Sequence, residues 1–177
     1  MDGKFFVLDT ETTGLRGEVV QIAVVDQDGF IRMNKLVKPT VSIEPGATRL
    51  HGITDDQVSM LPGWDAVSDE LDDLICGTRL LIYNAQFDLS ALLLSQIRAG
   101  VIQTQYRKCS RIACVMKAFA EHYGEWDHYY HNWSWKPLHM AAHEAGYTNP
   151  APHTALGDAL TTLAVARYLQ RQYQERI

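Results

Sequence analysis

At 177 residues, with 46% hydrophobic and 21% charged residues, the chain has the composition of an ordinary folded protein. That excludes disordered and fibrous architectures and leaves one domain, residues 1–177, as the expectation. A net charge of −5 excludes a long basic surface gripping nucleic acid through many phosphates, yet leaves room for an acidic site that attracts a phosphodiester once cations are bound.

The first element is a strand over 4–11, Lys-Phe-Phe-Val-Leu-Asp-Thr-Glu, apolar and then acidic. Side chains two apart share a strand face, so Phe5, Val7, Asp9 and Glu11 line one side and the two carboxylates are co-directed. Strands over 19–25 and 30–38 flank the turn cluster Asp26-Gln27-Asp28-Gly29, which makes a three-stranded antiparallel meander. Thr54-Asp55-Asp56-Gln57 has the form of a capping box, and Trp64, Val67, Leu71, Leu74 and Ile75 recur at helical spacing up to Gly77. A strand over 80–83 follows, then helices over 86–98, 109–122, 136–145 (opened by Pro137, closed by Gly146) and 155–174. The aromatic stretch 122–135 has no period and reads as an irregular loop. A meander followed by strand–helix units implies an α/β fold, a mixed sheet with helices on both faces.

No apolar run reaches the roughly 18 residues of a membrane span. The opening residues are too quickly acidic for a secretory leader, and Cys76, Cys109 and Cys114 form no secreted scaffold. A cytoplasmic protein with reduced thiols and no membrane contact is expected.

Phosphodiester hydrolysis needs charge stabilised on both the entering and the leaving oxygen, which two divalent cations about 3.5–4 Å apart do well. Such hard ions want oxygen ligands, so about four carboxylates must converge from several elements. Asp9 and Glu11 stand at the end of the first strand, although acids there are commonly solvated turn residues. Asp88, in Asn84-Ala85-Gln86-Phe87-Asp88, stands where the 80–83 strand exits into a helix, a position the helix dipole favours for any acid. His153 precedes the last helix and Asp158 lies in its first turns; an imidazole that titrates near neutrality is suited to taking a proton from water.

These pieces, taken together and in order, resemble the DnaQ-like 3′-to-5′ exonucleases of the DEDDh type. Asp9-Thr10-Glu11-Thr12-Thr13-Gly14 is similar to the family's first motif, Asn84-x-x-Phe87-Asp88 to its second, and His153-x-Ala155-x-x-Asp158 to its third. The resemblance implies a ribonuclease H-like fold with a mixed five-stranded sheet. It implies two divalent cations, Mg²⁺ or Mn²⁺, held by Asp9, Glu11, Asp88 and Asp158, with Asp9 bridging and His153 as general base. It also implies release of 5′-mononucleotides from free 3′ ends. Where many members carry Asp-Thr after the second motif, this chain has Cys109-Ser110, which leans the resemblance toward the exodeoxyribonuclease X-like branch.

The same resemblance places Leu50, His51 and Ile53 against the terminal base and Thr10 near the 3′-hydroxyl, with Asn84 and Phe87 as further substrate contacts. A turn with Ile53 as a hydrophobic staple is the alternative use of 49–54. The aromatic stretch has two uses open, base stacking or core packing. Arg98, Arg107, Lys108 and Arg111 are candidates for tracking a phosphate backbone or plain surface charge, and His139 and His143 read as a solvated pair. The expected partner is the 3′ end of DNA, single-stranded or frayed, with a DNA polymerase or repair protein as a possible companion. The alternatives are a small-RNA exoribonuclease and a non-catalytic polymerase-associated module.

Overall fold

The computed structural model describes residues 4–101, 109 and 111–174. In chain order the strands are β1 (Phe5–Thr12), β2 (Val19–Asp26), β3 (Ile31–Leu36), β4 (Arg79–Ile82), β5 (Arg111–Cys114), β6 (Trp126–Asp127) and β7 (Asn132–Trp133). The helices are α1 (Pro45–His51), α2 (Asp55–Val58), α3 (Trp64–Ile75), α4 (Ala85–Arg98), α5 (Val115–Tyr123), α6 (Leu138–Glu144) and α7 (Ala155–Gln174).

Five strands form a mixed sheet in the order β3-β2-β1-β4-β5, with β1–β2 and β2–β3 antiparallel and β1–β4 and β4–β5 parallel. The expected meander and the strand–helix units that follow are therefore present. Alternation along β1 sorts the core into two layers. Phe5 and Val7 pack with Phe119 of α5, Ala141 of α6 and Ala159 and Leu163 of α7. Leu8 packs on the opposite face with Leu71 and Ile75 of α3 and Leu92 of α4. At the end of β1 the same alternation sends Asp9 and Glu11 toward α7.

Three readings need correction. Residues 109–122 are not one helix: Arg111–Cys114 pairs in parallel with β4, Leu80 opposite Ile112, before α5 begins. The 122–135 stretch is not irregular throughout, because Trp126 and Asp127 pair with Trp133 and Asn132 in a small antiparallel hairpin. Pro45–His51, where no element was expected, is a short helix with Pro in its first turn and Gly52 at φ 77° as its left-handed cap.

The Thr54–Gln57 capping box is present as expected, each side chain bonded to the other residue's backbone N–H. Arg98 is engaged in an ion pair: its Nη1 donates to Glu18 Oε1 at 2.6 Å, and Glu18 is only 2% exposed. Thr40 completes that carboxylate's shell with its backbone N–H at 2.9 Å and its hydroxyl at 2.7 Å. Arg111 is exposed, whereas Arg107, Lys108 and Ser110 lie outside the described residues.

Candidate active site

β4 stops one residue past the Val7–Leu81 pair while the parallel β1 runs on to Thr12, and the chain leaves β4 through Asn84 directly into α4. That geometry puts Asp88, in the first turn of α4, beside the end of β1. Its Oδ1 accepts the Thr10 backbone N–H at 3.0 Å and the Thr10 hydroxyl at 2.8 Å, and Asp88 is 3% exposed. From the other face comes α7, carrying Asp158. One carboxylate oxygen from each of Asp9, Glu11 and Asp158 lies within 4.8 Å of the others. Two helices on opposite faces of the sheet thus close on the end of one strand, and four acids separated by up to about 150 positions in sequence meet there.

The acids are electrostatically frustrated as they stand. Burial, then the charges of Asp88, Asp158 and Glu11, raise Asp9 well above the ordinary carboxylate range. Burial followed by Asp158 and Asp88 pushes Glu11 up to about 8. Asp88 rises to about 7, chiefly through burial, although its bonds from Thr10 pull the other way. Asp158 is raised by burial, opposed by its bond from Asn149 and by the charge of His153. Repulsion of this kind is relieved by protons or by cations.

Around the acids lies a cavity of about 460 Å³. Of the residues expected to touch substrate, Thr10, Leu50, His51, Asn84 and Phe87 line it, and so does His153. Ile53 does not. It is 7% exposed and packs with Val20, Ile43 and Val58, so the staple role of this apolar side chain displaces the expected contact with a base. His51 accepts the Ile53 backbone N–H on Nδ1 at 3.0 Å. Its Nε2, 3.1 Å from the Thr12 carbonyl, must then carry the proton. This neutral tautomer, favoured by burial, ties α1 to the end of β1.

His153 is exposed and has φ 58°, a left-handed conformation rare for a residue with a Cβ and common where function holds the backbone. The turn that holds it is closed by Thr154, whose hydroxyl donates to the Ala151 carbonyl at 2.8 Å and accepts the Gly157 N–H at 3.1 Å. A Cβ on Gly157 would meet the Ala151 carbonyl oxygen at 2.0 Å, so a glycine is required for the loop to lie against α7.

Two residues that sequence reasoning passed over complete the scaffold. Asn149 donates to Asp158 Oδ1 at 2.7 Å. Gln21, opposite Glu11 in the β1–β2 register, accepts the Ala155 N–H at 3.0 Å and so pins the start of α7 to the sheet. Glu44 and Tyr83 also line the cavity. The pair His139 and His143 is exposed, and neither belongs to the acidic cluster found among the described residues.

The family model described as an exonuclease matches residues 6–166. The chain belongs to this DnaQ-like exonuclease family. As a member it is a 3′-to-5′ exonuclease, a hydrolase of a family that is generally divalent-metal dependent. It is similar to exonuclease CP81 of Escherichia phage 186, 36% identical over 169 residues, covering 93% of this chain and 86% of that one. Subunit epsilon of DNA polymerase III from Treponema pallidum is 35% identical over 94 residues, 50% of this chain and 44% of that subunit, so the match spans under half the length of that relative. Among solved structures, Exonuclease X in complex with 5′ overhanging duplex DNA superposes with a TM-score of 0.69 at 26% identity, over 96% of this exonuclease and 93% of that chain. No helix among the described residues is long and apolar enough to cross a membrane.

Proposed function

We propose that this exonuclease, acting as one unit over residues 1–177, removes nucleotides one at a time from the 3′ ends of DNA with the help of two divalent cations. The observation that carries the proposal is the meeting of Asp9, Glu11 and Asp158 within 4.8 Å, with Asp88 brought up from the opposite face. The donor set fits hard cations: every candidate ligand is a carboxylate oxygen, and among the described residues no Lys or Arg lines the cavity to neutralise them. Asp9, Glu11, Asp88 and Asp158 would hold the cations. When bound, the pair supplies Lewis-acid stabilisation of charge on the entering and leaving oxygens.

The chain's own residues do the rest. His153, at the mouth of the cavity, takes the proton from the attacking water, and the Asp158 carboxylate beside it stabilises the imidazolium that forms. Leu50 and Phe87 give the terminal base apolar walls, while Thr10, already donating to Asp88, sets the height of the sugar. DNA rather than RNA is favoured by the likeness to Exonuclease X over nearly the full length of both chains.

Digestion of matched, 5′-labelled DNA and RNA oligonucleotides, single-stranded and duplex, with titrated Mg²⁺ and Mn²⁺ and an EDTA control, tests this. Metal-dependent release of 5′-mononucleotides from DNA is the expected result. Preferential digestion of RNA would replace the substrate, and no metal-dependent release from either would favour a non-catalytic module working beside a polymerase or repair protein.

A further inference from the structure

The catalytic cavity continues beyond the acids. Leu15, Asn84 and Phe87 line it and equally line a second hollow of about 410 Å³, which passes Gln86 and Ser90 of α4 to reach Trp135. Trp135 also borders a third hollow of about 270 Å³, whose other aromatic wall is Tyr130. Three hollows therefore share walls in series, from the acids to the β6–β7 hairpin.

The aromatic rings along this path are displayed when burial would be the ordinary fate of such large apolar groups. Trp135 is 53% exposed, Tyr130 69% and Tyr129 82%. Their backbone is nonetheless held: Asp127 Oδ1 accepts the N–H groups of Tyr129 at 2.8 Å and Tyr130 at 3.0 Å. Trp126 and Trp133 meet edge to face at 5.0 Å across the hairpin. Ser134 closes its base by donating to the Glu125 carbonyl at 2.8 Å.

Charge argues for rings over phosphates. Among the described residues Arg16 is the one cation lining the second hollow and the third has none, and Lys136 next to Trp135 is paired with Glu125 at 2.5 Å. A strand following this path would be recognised by stacking, which tolerates any base, with few phosphate contacts.

We propose that the three hollows form a track for the single-stranded DNA behind the 3′-terminal nucleotide, its bases stacking on Trp135 and then on Tyr130. The proposal rests on the DNA-exonuclease reading and adds to it a substrate of about three nucleotides gripped at once, one per hollow. On this proposal the hairpin selects for a tail already freed from its complement, since only unpaired bases present a face to a ring.

The test uses the full chain, the variants Trp135→Ala, Trp135→Phe and Tyr130→Ala, and a dye-labelled, phosphorothioate-linked deoxythymidine decamer whose binding is read by anisotropy in magnesium. Loss of one stacking partner should weaken decamer binding about tenfold, with Trp135→Phe close to the parent because it keeps a ring. The salt dependence of binding should be shallow, equivalent to about one or two phosphate contacts, and unchanged by Trp135→Ala. In turnover, the ratio of kcat/KM for an unmodified decamer over a dinucleotide should fall by a similar factor in both alanine variants. Unchanged melting temperatures would establish that the variants fold, as half-exposed rings allow. Equal decamer affinity and equal length ratios in parent and alanine variants would overturn the track while an active enzyme kept the exonuclease reading. A protein that hydrolyses neither substrate yet loses the decamer on Trp135→Ala would sink the hydrolytic reading and keep the track.

Discussion

His153 and Asn149 stand on either side of what a sequence discloses about single residues. His153 precedes Asp158 by five positions, and both line the cavity around the acids. Replacing it by alanine removes a proton acceptor and no metal-binding oxygen, so kcat should fall about a hundredfold while the magnesium midpoint stays near that of the parent. A collapse of cation affinity in His153→Ala would contradict the general-base role. Asn149 does its work nine positions before Asp158 through a loop that folds back on Gly157, and in sequence it reads as a turn residue ahead of Pro150. Nothing in the spacing gives away that its amide reaches a carboxylate. Asn149→Ala should free Asp158 to rotate and weaken metal affinity roughly tenfold, visible as a raised magnesium midpoint that excess metal partly restores. A midpoint equal to the parent's would show that Asp158 is held by other means.

At the scale of elements, strands and helices were legible where one period ran unbroken between clear stops. The β1–β3 meander has apolar runs and a Gly-containing turn, and α6 has its Pro and Gly. Concealment of β5 has a specific cause: Ile112, Val115, Met116 and Phe119 fall at helical spacing across the strand–helix junction, so the period runs through a boundary that only pairing with β4 creates. Likewise α1 buries none of its residues and so carries no apolar period to read. The Glu18–Arg98 pair belongs to this scale, since it clamps the start of β2 to the end of α4. Burial raises Glu18 but the Arg98 and Thr40 hydrogen bonds win, leaving its carboxyl below the usual range. Arg98→Ala leaves that carboxylate to Thr40 alone. The expected cost is about 2 kcal/mol, or about 4–8 °C in Tm for a protein of this size, measured by calorimetry. A shift under about 1 °C would mean the ion pair is no more than surface decoration.

For the molecule as a whole, two groups of carboxylates pull stability in opposite directions with pH. Glu18 and Asp26, paired with Arg98 and Arg32, titrate below their ordinary range, so their contribution is present above the unfolded pKa near 4 and is lost as pH falls. The site acids do the reverse. Their folded pKa is raised, the folded chain binds more protons than the unfolded one, and the stability this confers is full below about pH 4. It is lost as pH climbs through about 7 for Asp88 and about 8 for Glu11. In EDTA the melting temperature should therefore peak in mildly acid solution and decline toward pH 8. Saturating Mn²⁺ neutralises the ionised acids and binds the folded state alone, so the rise it causes should grow from small near pH 5 to several degrees at pH 8. Asp9→Ala removes a carboxylate that Asp88, Asp158 and Glu11 all repel, so it should melt higher than the parent in EDTA at pH 8 and gain little from Mn²⁺. A flat profile between pH 5 and 8 without metal would mean the acids are not crowded in solution. An Asp9→Ala variant as responsive to Mn²⁺ as the parent would place the cations elsewhere.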